Sequence, residues 1–189
     1  MPSVEINGHD LEVVEDTKLL WVIIRSDQKW SSNTKYTVQR ANKKLWCLRR
    51  LKALGADQSD LLDVYFKQIR SILEYASPVW HSSLTGEDRI KIERVQKSAL
   101  HIILGLNYNS YRSALKATKL ETLFERRRKL CKTFAKKSLK HPKFTKWFKP
   151  TQKRHNMRRK QQKFCSVYSQ TQRYQKSTLS YLTELLNQT

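Results

Sequence analysis

Apolar and polar positions along the chain change rhythm after residue 30. In "TKLLWVIIRSDQKW", residues 17–30, the β-branched run Val22, Ile23 and Ile24 is bounded by Asp16 and by Ser26-Asp27, the pattern of a strand covered on both faces. A strand needs neighbours, and the local candidate is the pair "SVEING" and "LEVVE" within residues 3–15, where Asn7-Gly8 supplies a tight turn. Beyond Trp30 the period becomes helical. Val38, Ala41, Leu45, Leu48 and Leu51 step by three and four between a cap at Ser31 or Ser32 and a stop at Gly55. A second helix starts at Asp57 or Ser59 and carries Leu61, Leu62, Tyr65, Ile69, Ile72 and Leu73 to Pro78, which bends or ends it.

A third helix opens at Glu87-Asp88, whose charge suits an N-terminus, and stacks Ile92, Val95, Ala99, Ile102 and Leu106. Ser110 caps a short fourth. The fifth, "LETLFERRRKLCKTFAKKSLK" at 120–140, sets Leu120, Leu123, Phe124, Leu130 and Phe134 on one side. From His141-Pro142 to about Tyr174 the period dissolves, as expected of a loop or partly disordered arm, before "STLSYLTELLNQ" restores a short amphipathic helix that docks. The pattern predicts a mainly α fold: a small β-hairpin or strand element at 1–30, a helical bundle at 31–140, a basic arm at 141–174 and a short C-terminal helix at 175–189.

Charge changes this picture from architecture to partner. The 189 residues hold 38 Lys and Arg against 16 Asp and Glu, a formal +22 that favours polyanions, so nucleic acid is the default partner. The excess is uneven. Residues 1–30 carry six acids against Lys18, Arg25 and Lys29, whereas sixteen Lys and Arg from Lys129 onward face the single acid Glu184. The first helix holds Lys35, Arg40, Lys43, Lys44, Arg49, Arg50 and Lys52 without one acid.

The remaining chemistry is sparse. Cys47, Cys131 and Cys165 lie far apart and form no C-x-x-C pair, the pattern of reduced, intracellular thiols. His9, His81, His101, His141 and His155 are scattered without metal-ligand spacing, so no zinc site is expected, and four glycines supply no phosphate-cradling loop. No signal peptide or membrane-length apolar run is legible, which places the protein in the nucleus or cytoplasm with no membrane partner and no small-molecule ligand. Trp46, Trp80 and Trp147 are all candidates to stack on bases, with core packing the expected role of Trp46 and Trp80. Trp147 with Phe148, in the basic arm, suits base stacking or docking onto the helices equally.

Six words in order resemble the segment downstream of the polymerase core in reverse transcriptases of non-LTR, LINE-type retrotransposons of the Jockey-like and related clades. Lys18 to Ile24 with Asp27 and Trp30 resembles the strand "hK-hLGV-x-hD-x-x-h-x-W" that closes the palm, and Lys44 to Leu51 the helix "K-hxxLxxL" after it. "LEYASPVW" (Leu73 to Trp80), "IERVQKSALHIILG" (Ile92 to Gly105) and "LETLFERRRKL" (Leu120 to Leu130) follow in the family's order. "QRYQKSTLSYLTELLN" (Gln172 to Asn187) resembles the closing "RYxxSFhPxxhxxLN", with Ser177 to Ser180 departing from it. Trp21 stands where the family usually has Gly, which suggests an eroded copy or a fragment adopted by its host.

The resemblance implies a thumb-like bundle that holds template and primer, RNA or DNA, while an upstream palm performs RNA-directed DNA synthesis with Mg2+. The metal-binding "hxDD" turn of that palm has no counterpart here, so no catalytic residue, metal or cofactor is expected in this chain, which should be inactive alone. Possible partners are nucleic acid and the upstream polymerase segment. Candidate phosphate contacts are Lys43, Lys44, Arg49 and Arg50 on the first helix, Arg127 and Arg128 on the fifth, and Arg154, Arg158, Arg159 and Lys160 in the arm. Two other readings fit the same residues: a host-adopted helical module that binds another protein, and a non-functional product of a decayed element.

Overall fold

A computed structural model describes residues 4–7, 9–151, 162–166 and 168–188. The fold is mainly α, with a small β element ahead of the helices. That element is two separate hairpins. β1 (Val4–Ile6) pairs antiparallel with β2 (His9–Leu11), and β3 (Asp16–Leu19) with β4 (Val22–Arg25) in the register Asp16↔Arg25 to Leu19↔Val22. The expected strand at 17–25, covered on both faces, is therefore corrected. It folds back on itself at Leu20 and Trp21, whose φ angles of 46° and 65° are those of a primed hairpin turn, and so supplies its own partner. Val22 is buried while Ile23 and Ile24 are half-buried, and Asp16–Leu19 is exposed throughout. Asn33 anchors the hairpin by accepting the Ile23 amide at 3.1 Å.

α1 (Ser31–Ala53) follows, burying Asn33, Thr34, Thr37, Ala41, Leu45 and Leu48. Its end is fixed by hydrogen bonds from the Ala56 amide to Leu51 O and from the Gly55 amide to Lys52 O, both 3.1 Å, with Gly55 at φ 84°. This pair is the Schellman arrangement, and the left-handed residue it demands is the glycine the sequence provides.

The second helical stretch runs as α2 (Gln58–Val64), a π-helical segment Tyr65–Arg70 and α3 (Ser71–Glu74). The π segment has a geometric reason. The buried residues of the whole stretch, Leu61, Tyr65, Ile69 and Leu73, recur every four positions, a step that drifts about 40° each time on an α-helix. One wider turn with i→i+5 bonds cancels that drift and keeps all four on one face. The stretch ends at Ala76, in the left-handed region at φ 50°, two residues before Pro78, which sits in the first turn of α4 (Ser77–Trp80), where its missing N–H is harmless.

A 3-10 turn (His81–Ser83) leads to α5 (Gly86–Leu104), capped by Thr85 Oγ1 accepting the Asp88 amide. Ser31 Oγ donates to Asp88 Oδ2 at 3.0 Å at one end of the α1–α5 contact, and Lys52 Nζ to Ile103 O at 3.2 Å at the other. The two helices therefore run parallel, pinned at both ends. Leu106, expected on the inner stripe of this helix, instead falls in the 3-10 turn Gly105–Asn107 and is fully exposed. α6 (Tyr111–Ala117) has a capping box at Ser110 and Ser113.

α7 (Leu123–Lys140) starts after the Thr122 cap, which leaves Leu120 in the preceding loop. Its inner stripe is Leu123, Arg127, Cys131, Ala135 and Ser138, spaced by four and three, not the expected one through Leu130 and Phe134. Two polar letters on the buried face disguised it. The described residues of the arm hold α8 (Pro142–Thr145), buried Phe148 and an antiparallel bridge between Pro150 and Phe164, ahead of α9 (Gln172–Gln175) and α10 (Thr178–Asn187).

Apolar side chains gather in two clusters. The larger joins α1, the α2–α3 stretch, α5, α6 and Leu123, around Leu48, Tyr65, Trp80 and Ile92. The smaller joins Cys131 and Ala135 of α7 to Phe148 and to Leu182, Leu185 and Leu186 of α10. α7 is common to both.

Candidate nucleic-acid interface

The interface is built on α1 because its inner stripe dictates what faces out. With Ala41, Leu45 and Leu48 turned to the core, residues 35, 39, 43, 46 and 50 form a ridge on the opposite side. Lys35, Lys43, Arg49 and Arg50 are exposed on that side, and no carboxylate interrupts them along the helix. Trp46 corrects an expectation: it is 64% exposed at the centre of this face, not in the core, because it follows Leu45 by about 100° around the axis. Lys43 lies one turn before it and Arg50 one turn after, with the Arg50 guanidinium carbon 5.8 Å from the indole centroid. Lys44 is exposed on the other flank, about 160° round from Trp46, so the four α1 cations do not share one line.

A second aromatic and cationic group sits at the N-terminal end of the same helix. Lys18 Nζ lies 3.8 Å from the Trp21 ring centroid and 5.0 Å from that of Tyr36, and the Arg40 guanidinium lies 5.0 and 5.5 Å from the same two rings. The β3–β4 turn delivers Trp21 there, next to a cleft of about 230 Å³ lined by Trp21, Arg40, Ser71, Ile72 and Tyr75. Helical spacing makes Tyr36 and Arg40 neighbours in the sequence alone. Lys18 and Trp21 join them through the hairpin register, which has no glycine or asparagine to announce it.

α7 presents a different balance. Arg126 pairs with Glu74 at 3.2 Å, alongside Arg70 at 3.5 Å, and Lys129 pairs with Glu121. Arg128 is exposed, donating to Gln188 Oε1 at 3.0 Å and lying 3.8 Å from Glu125. Arg127 is the correction in the set. It is 0% exposed, its Nε donates to His81 Nδ1 at 3.4 Å and its guanidinium lies 5.5 Å from the Trp80 centroid, so it reaches no phosphate at the surface. Burial lowers its pKa to about 10 against the pull of Glu93 and Glu74. Burial, then the charges of Arg127, Arg89 and Arg128, push His81 down to about 3. Arg154, Arg158, Arg159 and Lys160 lie outside the described residues.

Of the arm aromatics, Trp147 is exposed and lies tilted against Phe144 with centroids 4.7 Å apart, whereas Phe148 is docked in the smaller cluster. Burial raises the Cys131 thiol to about 12, so it packs as a small apolar group. Beneath the interface a buried chain of hydrogen bonds fixes the bundle. Tyr65 OH donates to Gln96 Oε1, Gln96 Nε2 donates to Tyr111 OH at 2.8 Å and to Glu121 O at 3.0 Å, and Tyr111 OH donates to Glu93. Glu93 also accepts the Leu123 amide at 3.2 Å, so four helical segments are locked together behind α1. Among the described residues no three His, Cys, Asp or Glu side chains converge as a metal site, and no helix is long and apolar enough to cross a membrane. Comparison with known proteins gives no matching family model, curated protein or solved structure.

Proposed function

We propose that the chain is a nucleic-acid-holding module, similar in role to the helical thumb that follows the polymerase core of non-LTR reverse transcriptases, and that α1 is its principal contact surface. The observation that carries this reading is the acid-free outer face of α1, where cations flank an exposed indole. Phosphate contacts displace condensed counterions, and each one on a single strand steepens the dependence of log affinity on log salt by roughly 0.7. A salt titration of labelled RNA and single-stranded DNA therefore tests it. Alanine at Lys43, Lys44, Arg49 and Arg50 together should flatten the slope by up to about 3 if all four make contact. The same change at Arg154, Arg158, Arg159 and Lys160 measures the arm's share. An unchanged slope in the α1 variant, with binding abolished by the arm variant, removes α1 from the interface.

The upstream segment named by the resemblance would supply the two-metal carboxylates, so the isolated chain should not extend a primed RNA template with magnesium or manganese. Primer extension by the purified chain overturns that. A second reading, a helical module that binds another protein, is favoured by one observation: Leu19, Leu20 and Trp21 are all more than half exposed at the β3–β4 tip. A chain that ignores polynucleotides at low salt and self-associates or captures a partner through this tip would favour it.

A further inference from the structure

We infer that the ligand of the α1 face is nucleic acid with unpaired bases, and that Trp46 is the platform on which one of those bases stacks; this rests on the proposed nucleic-acid reading. A lone exposed aromatic is ordinary on a protein surface. Trp46 differs in its position. It stands at the centre of the solvent face of a 23-residue helix, with Lys43 three residues before it and Arg49 and Arg50 three and four after. These cations lie within a turn of the ring, at the distance where phosphates on either side of a stacked base would fall.

Arg50 approaches the indole only to 5.8 Å and leaves it 64% exposed, so a planar partner still has access to the ring. A duplex offers such a ring sugars and phosphates, because its bases are already stacked on one another. A single strand, or the unpaired end of a junction, offers a free π face. About 15 Å back along the axis, Tyr36 carries the second aromatic and cationic group, with Trp21, Lys18 and Arg40, where two cations converge on the same pair of rings. Tyr36 lies about 80° round the axis from Trp46 with Lys43 between them in angle, and aromatic stations with cations between them are the arrangement by which single strands are held without sequence readout.

The test uses the full chain, with Trp46→Ala and Trp46→Phe, against three probes of matched length: a single-stranded RNA, a blunt RNA duplex and heparin, a polyanion without bases. Position 46 is an exposed helical site and alanine is the best helix former, so folding is preserved and is checked by circular dichroism. Trp46→Ala should weaken single-stranded binding by about 5- to 100-fold at an unchanged salt slope, and leave duplex and heparin within about twofold. Trp46→Phe, which keeps a ring, should restore most of the loss. Equal loss on all three probes, or no loss on the single strand, overturns the inference while binding by the wild type leaves the wider reading standing. Failure of the wild type to bind any polynucleotide overturns both.

Discussion

A guanidinium sealed from water has five N–H groups to satisfy, and Arg127 satisfies only its Nε, through a histidine nitrogen; Nη1 and Nη2 have no partner among the described residues. Such a charge is a burden on the fold, and buried ionic groups replaced by well-packed apolar residues of similar volume often leave stability unchanged or raise it. Arg127→Met should therefore hold or raise the urea midpoint and leave RNA affinity untouched. A loss of RNA binding would return Arg127 to the interface. Its partner His81 accepts that hydrogen bond only when neutral, and its pKa falls from the usual 6.5 to about 3. Above pH 6.5 folded and unfolded chains both hold it neutral, and its full contribution to stability is present. As pH falls from 6.5 towards 3 the unfolded chain binds a proton that the folded one refuses, so stability drops by about 1.4 kcal/mol per unit in the steep part of that window. Urea melts at pH 6.5 and 5 should show that drop, and His81→Gln, which keeps an acceptor but does not titrate, should flatten it.

Trp21 is a residue whose conformation and identity disagree. At φ 65° a tryptophan bears a left-handed strain of about 1 to 2 kcal/mol, and its two exposed cation–π contacts, with Lys18 and Arg40, return about 0.5 to 1 kcal/mol each. Trp21→Gly should therefore change amide protection in β3 and β4 little, the relieved strain offsetting the lost contacts. Faster exchange in the hairpin would mean the ring contacts outweigh the backbone strain. This position also shows what a sequence hides. Hydrophobic letters at a tight turn read as uninterrupted strand, because the usual turn signals are side-chain preferences and the hairpin here overrides them. Arg127 was hidden for the opposite reason: three arginines in a row carry no mark of which one falls on the four-and-three stripe from Leu123 to Ser138.

The helices, by contrast, were readable wherever a cap and an apolar period coincide. Ser110, Gly55 and the stripe Ala41, Leu45, Leu48 marked their elements because each encodes a local constraint: an N-terminal acceptor, a left-handed residue, a buried face. The basic face of α1 was equally legible as charge. The place of Trp46 on it follows from the same stripe, yet the general preference of large aromatic side chains for burial points the other way. Gly55 holds the left-handed position that ends α1. A Cβ built there meets nothing within 4 Å, so Gly55→Ala tests backbone alone, and at φ 84° it should cost about 1 to 2 kcal/mol in global stability. A change below a few tenths would show that the helix end refolds around a different cap.

For the whole molecule, the question is which parts the main core needs. Val22, the buried side chain of the β3–β4 hairpin, is not part of the larger cluster. Deleting residues 1–28 should therefore leave the helical signal intact. It should also reduce self-association in sedimentation, because Leu19, Leu20 and Trp21 leave with the hairpins. Loss of helicity on deletion would make the front element a part of one cooperative unit.

The sharing of α7 between two clusters has a kinetic consequence. Tyr181 of α10 lies edge-on to His81 at 5.7 Å, so detaching α10 would let water reach the histidine and the guanidinium behind it. Hydration regained by that pair offsets part of the apolar area lost when Leu182, Leu185 and Leu186 leave α7. The C-terminal layer should accordingly behave as its own foldon, opening many times for each global unfolding event. Native-state hydrogen exchange would then find α10 amides reporting a lower opening free energy than those of α1 and α5. Mild acid should lower both opening free energies by the same amount and leave the gap unchanged, since detaching α10 and unfolding the whole chain each offer His81 the proton that the closed layer excludes.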